Sequence, residues 1–289
     1  MTETSRYDYW VRLASRASVA TALTLIIIKL FAWLYSDSAS MLASLTDSFA
    51  DALASIVNLL AIRYAIVPAD KDHRYGHGKA EPLASLAQSV FILGSAVLLL
   101  IHGIERLGQP QPLEHAWVGI GVSAIAIALT LALVMLQKKA LEATGSTVVA
   151  ADSLHYKSDL FLNAGVLLAL VLASFGWLWA DGLFAFIIAL YIGWQAAQLA
   201  YDSAQSLLDR ELDADTRKQI VELVMADPRV KGFHDLRTRQ SGKTTFVQLH
   251  LELDGHLSLL EAHSIADAVE QRIHQHLGEA EVLVHQDPV

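Results

Sequence analysis

The sequence predicts an α-helical membrane protein with six transmembrane helices followed by a C-terminal cytoplasmic α+β domain, and three observations carry that prediction. Hydrophobic residues make up 54% of the chain against 18% charged, with a mean hydropathy of +0.39, a balance that suits lipid better than water. Apolar runs near twenty residues recur, each able to cross about 30 Å of hydrocarbon at 1.5 Å per residue. Beyond residue 208 the pattern turns into short amphipathic stretches punctuated by turn residues. The expected division is a six-helix unit over 1–208 and a cytoplasmic unit over 209–289.

The spans are read at 11–35, 39–66, 82–107, 116–137, 147–175 and 177–199. An even number puts both termini on one side. Arg6, Arg12, Arg16, Arg63, Lys71, Arg74, Lys79, Lys138, Lys139 and Arg210 gather there, with Arg106 alone opposite. The bias of basic residues toward the cytoplasm therefore makes both termini cytoplasmic. Lys29 lies inside the first span, near its outer end, and is expected to snorkel. Residues 1–10 are polar, and the apolar run after them lacks a small-residue cleavage site, so no cleavable signal is expected. The net charge of −9 argues against a nucleic-acid partner.

The second span contains the stretch the chain is organised around. Asp47 and Asp51 are four residues apart and stack on one helix face. Ser40, Ser44, Ser55 and Asn58 extend that face at three- and four-residue spacing. A solvated helix face would explain the stripe, but the other faces, with Met41, Leu45, Phe49, Leu53 and Leu60, are too apolar for a soluble helix. Carboxylates placed within a bilayer are costly and point to function. The fifth span repeats the spacing with His155 and Asp159, and Asp152 and Asn163 extend the same stripe. We read a long helix whose inner half lines a water-filled cavity, where Lys157 is tolerable. A depth count from the span ends brings Asp51 level with Asp159 and leaves Asp47 and His155 about 10 Å apart, which tilt or shifted ends must absorb.

The chain has no cysteine, so any metal must be held by oxygen and imidazole, which suits zinc and other divalent ions. Two further regions offer such donors. The loop after the second span carries Asp70, His73 and His77 among glycines. The tail is expected to run helix 213–225, strands 234–239 and 244–253 joined at Ser241-Gly242, helix 258–277 and strand 281–286, an open-faced sandwich. Ser258 with Glu261 is a capping box for its second helix. His234, His250, His256, His263, His274, His276 and His285 crowd this acidic tail. His285 and Asp287 share a face if the last strand continues, while His274 and His276 sit near an exposed helix end and are expected in solvent.

The paired motifs, Asp47-x-x-x-Asp51 and His155-x-x-x-Asp159, together with six spans, inward termini and this tail order, resemble the cation diffusion facilitators, most closely their bacterial zinc and iron(II) efflux members. The resemblance covers the whole chain. It implies a transport site of Asp47, Asp51, His155 and Asp159; a loop site of Asp70, His73 and His77; and a tail site of His234, His250, His263, His285 and Asp287 that binds two zinc ions near a homodimer contact. It further implies proton-coupled export of divalent metal across the cell inner membrane, zinc above all, with no enzymatic activity. The second-span motif begins with Asp where strictly zinc-selective members often have His, which leaves cadmium, iron(II) and manganese open.

The chemistry of the residues agrees with such a site. Three carboxylates and one imidazole form a tetrahedral zinc set with bonds of about 2.0–2.2 Å. Without metal, three clustered carboxylates favour taking up a proton; metal binding releases protons, and His155 titrates nearest physiological pH. Two rivals are weighed against this. An intramembrane aspartyl hydrolase needs a Gly-x-Gly-Asp signature that is absent, and an i, i+4 pair is not a facing dyad. A membrane-tethered metal sensor would not need four ionisable groups in two spans.

Overall fold

The structure is a computed structural model that describes residues 3–36, 39–108, 117–174, 177 and 179–289; some side chains within the helices, Asp47 among them, also lie outside the described residues. The chain forms two compact units: residues 8–65 with 80–204, and residues 1–7 and 66–79 with 205–289.

Six long helices make the first unit: α1 (Glu3–Ser36), α2 (Ala39–Ala65), α3 (Ala80–Gly108), α4 (Trp117–Thr144), α5 (Thr147–Ser174) and α6 (Ala180–Leu207). Among the described residues, Arg6–Tyr35, Ala80–Glu105, Gly121–Thr144 and Gly182–Leu207 are long and apolar enough to cross a membrane. The other two helices, α2 and α5, carry the polar stripes. The observed ends overrun the apolar runs: α4 continues past residue 137 and α6 past residue 199. Hydropathy stops where charge begins, but helix propensity does not, and Lys138 pairs with Glu142 at 3.9 Å along the extra turns of α4. The fifth helix starts where Ser146 caps it, its Oγ accepting from the Val149 N–H at 3.3 Å. It runs unbroken through the polar segment 152–159, as the repeated spacing predicts.

The helices pack through small groups of side chains, with Ala22 and Ile26 of α1 against Leu45 and Ala52 of α2. A second group joins Ile92 and Ala96 of α3, Leu154 of α5, and Ile192 and Ala196 of α6. Gly103 lets α3 approach α6 closely, since a Cβ there would lie 2.8 Å from the Phe186 backbone nitrogen. Large apolar side chains such as Phe31, Leu98 and Trp194 are exposed on the outside, as a lipid-facing surface requires. Lys29 Nζ donates to Ser48 Oγ of α2 at 2.6 Å.

The second unit contains α7 (Ala214–Met225), β1 (Gly232–Ser241), β2 (Thr244–Leu253), α8 (Leu259–Leu277) and β3 (Ala280–Pro288). The strand order is β1-β2-β3, with β1–β2 antiparallel and β2–β3 parallel across the α8 crossover. Both helices cover one face. Val247, Leu249, Leu251 and Leu253 of β2 alternate into a core with Ile220, Val224, Ile265, Val269 and Ile273, and the intervening residues of β2 point to the open face. The Ser258–Glu261 capping box forms as expected. Asp227 locks the helices together, taking Arg229 at 2.8 Å and Arg272 at 2.7 Å.

The loop 66–79 packs within this same unit. A Cβ on Gly78 would lie 2.5 Å from the Ser241 backbone, and the facing Gly242 has φ of +58°, so the two chains meet backbone to backbone. Arg239 lies over the rings of Tyr75 and Phe246, and Lys79 pairs with Asp209 at 2.8 Å.

Candidate metal centres

Three groups of imidazole and carboxylate donors converge among the described residues, each with its ligand atoms within 4.8 Å of one another. The first lies between α2 and α5. His155 Nε2 is 3.0 Å from Asp51 Oδ1 and 3.9 Å from Asp159 Oδ2. The imidazole is buried while both carboxylates are half-buried, so the group has a protected interior and an accessible side. Asp51 therefore stands level with Asp159, as the depth count has it, and with His155 as well. Asp47 belongs to α2, and its side chain is outside the described residues.

The second group lies in the 66–79 loop. Asp70 Oδ1 accepts from the backbone N–H groups of His73 and Asp72, at 2.7 and 2.9 Å. The His73 bond, first, holds the Asp70 carboxyl below its ordinary value. Its other oxygen is 3.3 Å from His77 Nε2. The opposite nitrogen of that ring, Nδ1, is 3.2 Å from the Val67 carbonyl. With Nδ1 as the donor, Nε2 is left as the ligand atom, the usual orientation of a metal-binding histidine. His73 completes the group, its ring centroid 4.6 Å from that of His77.

The third group is written in strand register. His234 pairs with His250 across β1–β2, and His250 with His285 across β2–β3, so three imidazoles stand in one row on the open face. Asp287, two residues on, collects them. Its Oδ2 is 2.8 Å from His250 Nδ1 and 3.2 Å from His234 Nε2, and its Oδ1 is 3.3 Å from His285 Nε2. The His250 hydrogen bond, above all, lowers the Asp287 carboxyl. A carboxylate with imidazoles on both oxygens is suited to bridging two metal ions. His263 does not join this row; it lies on α8, 3.6 Å from Asp267.

Glu252, on the same strand as His250, was not counted among the candidate ligands. It occupies the next row, opposite Asp287, and its Oε1 is 3.0 Å from His234 Nδ1, leaving Nε2 turned toward Asp287. The available signal was its two-residue spacing from His250.

A helical membrane unit with carboxylate–imidazole donors between two of its helices, joined to a cytoplasmic α+β domain, defines a metal-cation transporter, and the chain belongs to the cation diffusion facilitator family. Residues 15–208 match the cation efflux transmembrane domain, and residues 212–289 the cytoplasmic domain of cation efflux proteins. Among its relatives is the cation-efflux pump FieF of Shewanella oneidensis, 72% identical over 289 residues, covering 100% of this chain and 98% of the relative. The cation-efflux pump FieF of Klebsiella pneumoniae is 50% identical over 280 residues, 96% of this chain and 93% of the relative. A solved structure, the metal-bound C-terminal domain of the CzcD transporter from Thermotoga maritima, is 25% identical, covering 26% of this chain and 87% of that chain with a TM-score of 0.25. The chain is thus a multi-pass membrane cation-efflux transporter.

Proposed function

We propose that this transporter exports divalent metal, zinc foremost with cadmium, iron(II) and manganese as further cargo, from the cytoplasm across the inner membrane in exchange for protons. The observation that carries the reading is the meeting of Asp51, His155 and Asp159 from two helices within 4.8 Å. In this reading Asp47 is the fourth ligand. Metal at His155 Nε2 displaces the proton that bridges it to Asp51, and a proton arriving from the other side restores that bridge and releases the metal. A site that opens alternately to each side then works as an antiporter.

The loop residues Asp70, His73 and His77 bind a second metal in this reading. The tail residues His234, His250, His285 and Asp287 hold zinc, with His263 entering across a contact between two copies of the chain. The transport unit ends near residue 208, and residues 209–289 regulate it and hold the homodimer. Both termini are cytoplasmic.

The rival is a membrane-tethered metal sensor, in which the same residues bind but nothing crosses. Purified protein in sealed vesicles separates the two. Zinc accumulates inside when export is the function, and Asp159→Ala stops it without preventing insertion. Binding at the vesicle surface with no accumulation would establish the sensor.

A further inference from the structure

Asp152 was singled out by its place on the α5 stripe, yet it takes no part in the metal cluster. It is 4% exposed, and its carboxylate is held by neutral donors from three other helices. Ser18 of α1 donates its hydroxyl proton to Oδ2. Asn58 Nδ2 of α2 donates to Oδ1 at 2.9 Å, and Gln137 Nε2 of α4 donates to Oδ2 at 2.7 Å. A buried carboxylate without a cation is tolerable only when donors of this kind satisfy it. The arrangement is therefore demanding in geometry, because each lost donor leaves a buried charge less satisfied.

The same bond is the lowest rung of a ladder between α2 and α5. Going outward from it, Ser55 Oγ and Tyr156 Oη are 2.9 Å apart, and then Asp51 Oδ1 and His155 Nε2 are 3.0 Å apart. Along α2 the rungs are residues 58, 55 and 51, all within two turns; on α5 they fall at 152, 156 and 155, within little more than one turn. Sliding or rotating either helix to break the lowest rung would also move the top one. Tyr156, 1% exposed, further reaches the Ser18 carbonyl at 3.2 Å, so α1 is fastened at two points.

We propose that Asp152 is a positioning residue for the metal site: by tying α5 to Ser18, Asn58 and Gln137 it sets the register in which His155 and Asp159 face Asp51. This rests on the reading of that cluster as the site that carries metal across. Asp152 does not touch the metal. Its contribution is pre-organisation, so removing it weakens metal capture and loosens the preference among metals of different size.

The experiment measures metal flux in vesicles containing the full chain, over a range of zinc and cadmium concentrations. Asp152→Asn is expected to raise the KM for zinc about tenfold, as loss of an outer-shell partner does, with kcat nearly unchanged and the zinc-over-cadmium preference reduced. The exchanged pair, Asn58→Asp with Asp152→Asn, restores one carboxylate and one amide at the rung. Gln88, 2.7 Å from Asn58 through its Oε1, has a buried Nε2 without a hydrogen-bond partner among the described residues and can donate to the new carboxylate. This double variant is expected to recover most of the zinc KM and the metal preference. An unchanged KM for Asp152→Asn overturns the proposal, and so does a raised KM that the exchange fails to rescue. If Asp152→Asn does not insert, Ser18→Ala, which removes one donor, must raise the zinc KM, and an unchanged value overturns the proposal. Asp51→Ala is run in parallel. Normal flux in that variant would overturn the metal-site reading itself, whereas lost flux there beside a normal Asp152→Asn would overturn the positioning role alone.

Discussion

Asp51→Asn is the most economical test of the transport cluster. The substitution keeps the size of the side chain and an oxygen able to accept from His155 Nε2, 3.0 Å away, so packing between α2 and α5 is retained. It removes one anionic ligand and one unit of negative charge from the proposed site, which with Asp47, Asp51, Asp159, neutral His155 and bound metal would carry about one net negative charge. A carboxylate 4 Å from a divalent ion gains a gross attraction of about 8 kcal/mol at an effective dielectric of 20, much of it offset by desolvation. Even the about 2 kcal/mol of a single charge-assisted hydrogen bond would weaken binding about 30-fold. The expected result is therefore a zinc KM raised at least that far, or no flux, in protein that inserts and elutes like its parent. The assay is initial zinc uptake in vesicles as a function of zinc concentration. A KM close to the parent's would refute the assignment of Asp51 as a ligand.

Other predictions follow from the remaining clusters. His155→Asp replaces a borderline donor with a hard one, so transport should shift from zinc and cadmium toward manganese, read by competition flux; unchanged selectivity would show that the imidazole does not set preference. Glu252→Gln, by loosening the 3.0 Å contact to His234 Nδ1, should weaken zinc binding at the tail about tenfold without abolishing transport, read by calorimetry on the full chain. Arg229 first, and then Arg272, hold the Asp227 carboxyl below its ordinary range. The stability it adds is present above the unfolded carboxylate value of about 3.9 and is lost as pH falls through the lower folded value. Asp227→Asn should cost the tail about 2 kcal/mol at neutral pH, seen as reduced hydrogen-exchange protection of α7 and α8, with the two proteins converging in acid.

The tail's element order was legible because each element carries a local signal: the Ser258–Glu261 cap, the period-two alternation through Val247 and Leu249, and the Ser241-Gly242 turn. The row His234–His250–His285 came only through the family resemblance and not from residue patterns, since it depends on the pairing register of strands whose sequence separation says nothing about which residues face each other. The role of Glu252 was not assigned for the same reason. In the membrane unit, spacing identified the ligand stripe on α5 but could not separate its two parts. His155 and Asp159 face Asp51, whereas Asp152 turns into a knot of neutral donors that only the packing of α1, α2 and α4 reveals. Lys29 shows the same limit: its partner, Ser48, sits on the neighbouring helix, and no pattern within α1 predicts it.

Exchange of metal for protons is the central claim, and one recording tests it directly. The protein is placed in vesicles with equal zinc on both sides, a proton gradient is imposed, and zinc and proton movements are followed together with separate dyes. Protons running down their gradient should drive zinc the opposite way, against its own growing gradient; reversing the proton gradient should reverse zinc flow, and Asp159→Ala should abolish both. Zinc that stays at equilibrium whatever the proton gradient would contradict it.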